Sequence, residues 1–140
     1  MAKQWRDLNK AEKAAVLDFY HVPHHIKPSA PRAKAVKREA PILAAIFKML
    51  RAHPLVAKVE RRQVGAFTSG ERYIRVGRPG DPDLTGILKG GRAFAIEVKA
   101  EFGKVSEIQS RRLLELHEAG AVTGVARSVE DARNIIEGAK

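Results

Sequence analysis

Arg92-Ala-Phe-Ala-Ile-Glu-Val-Lys99 is the most regularly alternating stretch of the chain, and it follows the paired glycines of Lys89-Gly-Gly91. Side chains of an extended strand alternate between faces, so Phe94, Ile96 and Val98 share one side and Ala95, Glu97 and Lys99 the other. The first set is a core face. The second carries a carboxylate and an ammonium two positions apart, beside a small alanine. Upstream of the glycines, Asp83-Leu-Thr-Gly-Ile-Leu88 reads as another strand, and a glycine pair between two strands makes a tight hairpin. That hairpin lays the start of the earlier strand against the end of the later one, so Asp83 and Glu97 can meet across it.

Working outward, Ser106-Glu-Ile-Gln109 has the form of a capping box and opens a helix over about 107–119, which Gly120 ends. Ala121-Val-Thr-Gly-Val-Ala126 reads as a short buried strand, and Ser128 caps a last helix over about 129–137. Toward the N-terminus, Val56–Val64 and Arg72–Val76 read as strands separated by the turn-like Phe67-Thr-Ser-Gly70. A helix fits about 34–52, with Ile42, Leu43, Ile46, Phe47 and Leu50 at helical spacing. Pro41 requires that this helix begin near Ala40 or bend there. Asn9-Lys-Ala-Glu12 is a second capping box, before a short helix over about 9–20. Three prolines within 21–33 mark a linker. This order predicts a mixed β-sheet flanked by helices, an α/β chain of the α+β kind, with a basic arm over 1–36 and a domain over 37–140.

The 140 residues include 26 Lys/Arg against 16 Asp/Glu, a formal charge of +10. Residues 1–38 alone hold nine basic and three acidic side chains. Such an excess favours a polyanionic partner, nucleic acid first. The absence of cysteine excludes disulfides, thiolate metal sites and cysteine nucleophiles. With no membrane-length apolar run and no signal-peptide pattern at the start, the chain reads as intracellular and cytoplasmic. No P-loop, dinucleotide fingerprint or serine elbow is present, so nucleotide-driven and acyl-transfer chemistry have no support.

Two carboxylates in one cleft repel each other by about 4 kcal/mol at 4 Å and an effective dielectric near 20. A hard divalent cation such as Mg²⁺ or Mn²⁺ compensates that repulsion with oxygen ligands. Lys99 beside it can orient or deprotonate a water and neutralise charge on a phosphoryl group.

Gly77-Arg-Pro-Gly-Asp-Pro-Asp83, Ile96-Glu-Val-Lys99 and Gly103-Lys-Val-Ser-Glu-Ile-Gln109 together resemble the VRR-NUC family of the PD-(D/E)XK nuclease superfamily, over about residues 37–132. The resemblance implies a restriction-endonuclease-like core and a metal-dependent phosphodiesterase acting on DNA. It implies that Asp83, Glu97 and the Val98 carbonyl ligate the metal and that Lys99 assists the attacking water. It also implies a first-helix glutamate as a further metal ligand, matched by Glu39, and a glutamine of the catalytic site after the Glu-x-Lys strand, matched by Gln109. Gln109 has a second explanation as the third residue of its capping box. Small members of the family act as junction resolvases, which implies branched or Holliday-junction DNA and a homodimer with two active sites.

Arg61, Arg62, Arg72, Arg75 and Arg78 lie on or beside strands leading to Asp83. We read Arg61, Arg62, Arg75 and Arg78 as phosphate contacts, with Lys104 joining them ahead of the helix capped by Ser106. His21, His24 and His25 fall in the proline-rich linker without an acidic partner and read as surface. Trp5, Phe19 and Tyr20 read as residues burying a short helix. The competing readings are a non-catalytic basic DNA-binding or architectural protein, and a restriction-type endonuclease that reads duplex sequence.

Overall fold

The computed structural model describes residues 7–19, 32–63, 65–70 and 72–139; for 17–19, 32–38, 65–69 and 74–75 the description is of the backbone. Trp5, Tyr20 and the three linker histidines lie outside the described residues, as do the side chains of Phe19 and Arg75.

The chain folds as a mixed α/β unit. Helices α1 (Lys10–Phe19) and α2 (Arg32–Ala52) precede strands β1 (Val56–Arg61), β2 (Gly65–Ser69), β3 (Arg72–Val76), β4 (Leu84–Leu88) and β5 (Ala93–Val98). Helix α3 (Glu107–Glu118), strand β6 (Val122–Ala126) and helix α4 (Val129–Glu137) follow. Four strands form one sheet in the order β1-β4-β5-β6. The first two pairings are antiparallel and β5-β6 is parallel, the crossover running through α3. Strands β2 and β3 form a separate two-stranded ribbon.

The central strand β5 is buried from Phe94 to Val98. Its Phe94, Ile96 and Val98 pack with Leu84, Leu88, Leu43, Ile46, Leu50 and Ile136, placing α2 and α4 over one face. Ala95 packs with Val105, Leu113 and Val125 beneath α3 on the other face, where Val16 of α1 also rests. The alternation of β5 thus separates two apolar layers, and Glu97 and Lys99 lie on the α3 side.

Both capping boxes form. Asn9 Oδ1 accepts from the Glu12 amide at 2.9 Å while Glu12 accepts from the Asn9 amide at 2.8 Å. The Ser106 hydroxyl and Gln109 side chain make the same exchange at the head of α3.

One expectation is corrected. Phe67-Thr-Ser69 is strand, not turn: Ser69 pairs with Arg72, and the reversal falls at Gly70, whose φ is +62°. The polar Thr-Ser pair imitates a turn, yet its backbone pairs with β3 in a two-stranded ribbon. Helix α2 runs from Arg32 to Ala52, matching the helix expected over about 34–52, with Pro41 inside it rather than at its start. Proline removes one amide from the helical ladder without ending it here. Among the described residues no helix is long and apolar enough to cross a membrane.

Candidate metal centre

The strand β4–β5 register aligns Leu84 with Ile96, which sets Asp83 opposite Glu97. Asp83 Oδ2 accepts from the Val98 amide at 2.8 Å, fixing its carboxylate against the end of β5. The segment leading to Asp83 is braced from α3, where Arg112 Nε meets Asp81 Oδ1 at 3.1 Å. Gly80, at φ +86°, admits this approach, because a Cβ there would meet the Ile108 side chain and backbone.

Glu97 has a side chain only 1% exposed. Its Oε1 accepts from Lys99 Nζ at 2.8 Å and from Gln109 Nε2. Gln109 meanwhile caps α3 with its own side-chain oxygen, which accepts from the Ser106 amide at 2.9 Å. One side chain therefore serves both the cap and the acidic site. Glu97 Oε2 is buried and, among the described residues, has no hydrogen-bond partner.

The electrostatics follow from that burial. Desolvation, then the Asp83 charge, push the Glu97 carboxyl up to about 7 against the opposing pull of Lys99. Burial also raises the Asp83 carboxyl, against the Val98 amide, Lys99 and Arg61. Burial pulls Lys99 down, but Glu97, Glu39 and Asp83 outweigh it and hold the amine above its ordinary value. Lys99 is thus a cation at neutral pH.

A carboxyl raised in the fold stabilises the native state fully below its unfolded value, and that contribution disappears as pH rises through the folded value. Moving Glu97 from 4.5 to about 7 corresponds to about 3 kcal/mol. In chelator, urea stability is expected to fall between about pH 5 and about pH 8, and Glu97→Gln should flatten most of that slope. An unchanged slope in the variant would assign the titration elsewhere.

Glu39 on α2 approaches from the opposite side, its Oε1 at 3.5 Å from the Ala100 amide, and its charge acts on both Glu97 and Lys99. Among the described residues, no group of three or more His, Asp or Glu side chains forms a metal-holding cluster. The donor set available to a cation is therefore the Asp83 and Glu97 carboxylates with backbone carbonyl and water oxygens. These are hard donors of the kind Mg²⁺ and Mn²⁺ prefer, and the orphaned Glu97 oxygen fits such an ion.

Arg61 and Arg62 stand at the end of β1 beside Asp83: Arg61 pairs with Leu84, and the Arg62 amide donates to the Asp83 carbonyl at 2.8 Å. Arg62 Nε also lies 3.4 Å from Thr85 Oγ1. Arg78 and Lys104 are exposed on the loops before Asp83 and after Lys99, and Arg72 is exposed on β3. Arg75 lies on β3.

Sequence reading missed Arg127. Its guanidinium Nη1 donates to the carbonyls of Ala100 at 2.5 Å, Gly103 at 2.8 Å and Glu101 at 3.3 Å. Asp131 Oδ2 accepts from its amide at 2.8 Å. The available signal was positional: Val98 pairs with Ala126 in the parallel ladder, so the next residue of each strand lies beside the other, Lys99 by Arg127.

The chain is 28% identical over 128 residues to a 4-hydroxy-3-methylbut-2-enyl diphosphate reductase of Methylocella silvestris, a match taking in 87% of this chain and 38% of that protein. The chain spans well under half the length of that relative, and at this identity the likeness assigns it to no family. No family model and no solved structure matches it.

Proposed function

We propose that the protein is a divalent-cation-dependent deoxyribonuclease with a PD-(D/E)XK core of the VRR-NUC kind, hydrolysing phosphodiesters of branched DNA. The observation that carries the reading is the Glu97 carboxylate: fully buried, opposite Asp83, with one oxygen lacking a hydrogen-bond partner among the described residues. A buried charge left so is costly unless a proton or cation meets it. Asp83 and Glu97, with the Val98 carbonyl, would hold Mg²⁺ or Mn²⁺, which supplies Lewis acidity and a more acidic water.

The chain's own residues do the rest. Gln109 and Lys99 fix the Glu97 carboxylate from two directions. Lys99, kept cationic by its acidic neighbours, donates to the attacking water or to a phosphoryl oxygen and offsets the negative charge that grows there. Its charge favours this donating role over proton abstraction. Arg61 and Arg62 at the end of β1, with Arg78 and Lys104 exposed on the loops before Asp83 and after Lys99, would hold flanking phosphates. Hydrolysis at a symmetric junction needs two cuts, so the reading carries a homodimer with it.

The test is nicking of branched DNA with Mg²⁺ or Mn²⁺ by the wild-type chain and by Asp83→Ala. Cutting by the first and binding without cutting by the second are expected. Binding with no cutting under either ion would leave a non-catalytic DNA-binding protein.

A further inference from the structure

We propose that Phe102 is a stacking platform for an unpaired nucleobase beside the scissile phosphodiester, held out to solvent by a loop that Arg127 fastens. The inference rests on the nuclease reading and names the substrate feature that site selects.

Phe102 is 56% exposed, although a phenylalanine ordinarily gains by leaving water. Its exposure does not come from a loose loop. The carbonyls of Ala100, Glu101 and Gly103 all accept from Arg127, and the Gly103 amide donates to the Ala100 carbonyl at 2.9 Å. Glu39 closes on the same loop at the Ala100 amide. The main chain on both sides of Phe102 is therefore tied down while its ring is left outside.

The position is close to the chemistry. Phe102 follows Lys99 by three residues, so their Cα atoms lie within about 11 Å. A nucleotide with its phosphate at Lys99 keeps a neighbouring base within reach of the ring. Lys104, also exposed on this connection, offers a cation to that nucleotide's backbone. Base–aromatic stacking tolerates any base, but only one released from its pair can present its face. The ring therefore favours branched or single-stranded DNA over linear duplex without reading sequence.

Binding is measured without divalent ions, so that cutting is not required. The probes are a junction with 2-aminopurine at the branch point and a linear duplex of the same sequence. Phe102→Ala is expected to weaken junction binding by about 5- to 100-fold and to leave duplex binding unchanged. Phe102→Trp should restore junction affinity and quench the 2-aminopurine. Because Phe102 is exposed, the alanine variant should melt like wild type. Equal junction affinity of Phe102→Ala and wild type overturns the platform while leaving the nuclease reading intact. Conversion of a dimer to a monomer by Phe102→Ala, with both DNAs weakened alike, also overturns it and makes the ring a contact between copies of the chain. Should the wild type cut nothing with Mg²⁺ or Mn²⁺ yet keep Phe102-dependent junction binding, the platform stands and the nuclease reading falls.

Discussion

Lys99→Met is expected to lower Mn²⁺-supported cutting of branched DNA by about 10²- to 10³-fold, the range for removing one preorganised donor from developing charge. Binding should change little, because most phosphate contacts belong to other cations. Methionine keeps the aliphatic reach of lysine and removes only the ammonium that sits 2.8 Å from Glu97. The same change has a stability signature. Removing one partner of a buried ion pair costs about 3–5 kcal/mol when the other stays charged. Here the remaining partner is a carboxyl already raised to about 7, and losing Lys99 raises it further. The penalty should therefore be small near pH 5, where Glu97 is protonated, and grow as pH rises. Cutting that survives Lys99→Met at wild-type rate, at a pH where the variant is fully folded, would remove Lys99 from the mechanism.

Gly86→Ala is expected to destabilise the fold by about 2–4 kcal/mol, lowering the melting temperature by about 10 °C. Gly86 lies in β4, paired with Val59 on one side and Phe94 on the other. A Cβ there would run into the backbone carbonyl oxygen of Lys58 and approach two ring atoms of Phe94 to 2.5 Å. Neither can withdraw easily: the carbonyl belongs to β1, and the Phe94 ring is buried in the core. Gly124→Ala is the contrasting case. There the nearest atoms a Cβ would meet belong to the Ile135 side chain, Cδ1 at 2.5 Å and Cγ1 at 2.8 Å, with no backbone among them, so a shift of that side chain should hold the cost to about 1–2 kcal/mol. Urea midpoints at constant m-value would check both, and equal losses at the two positions would show that the sheet yields at Gly86.

The elements legible in the chain are those whose signals are local. Ser106 and Gln109 are three residues apart, and the cap they make depends on little else. The glycine pair at 90–91 and the alternation of Phe94 to Lys99 likewise define a hairpin and its two faces, and with them the meeting of Asp83 and Glu97. Thr68-Ser69 shows the limit, since the same polar residues suit a turn or a strand and only pairing with β3 decides between them.

What tertiary structure alone decided is the state of the site. Glu97 reads as a strand carboxylate, but its burial beneath α3, its orphaned oxygen and its raised pKa arise from segments scattered along the chain. Gln109 became a partner of Glu97 only because the crossover returns α3 over β5. Arg127 reaches three carbonyls more than twenty residues upstream because β6 lies parallel to β5. Helix caps and strand alternation are short-range and can be read from neighbours in sequence. Desolvation and charge depend on everything that surrounds a group in space, and the chain order does not state that until it is folded.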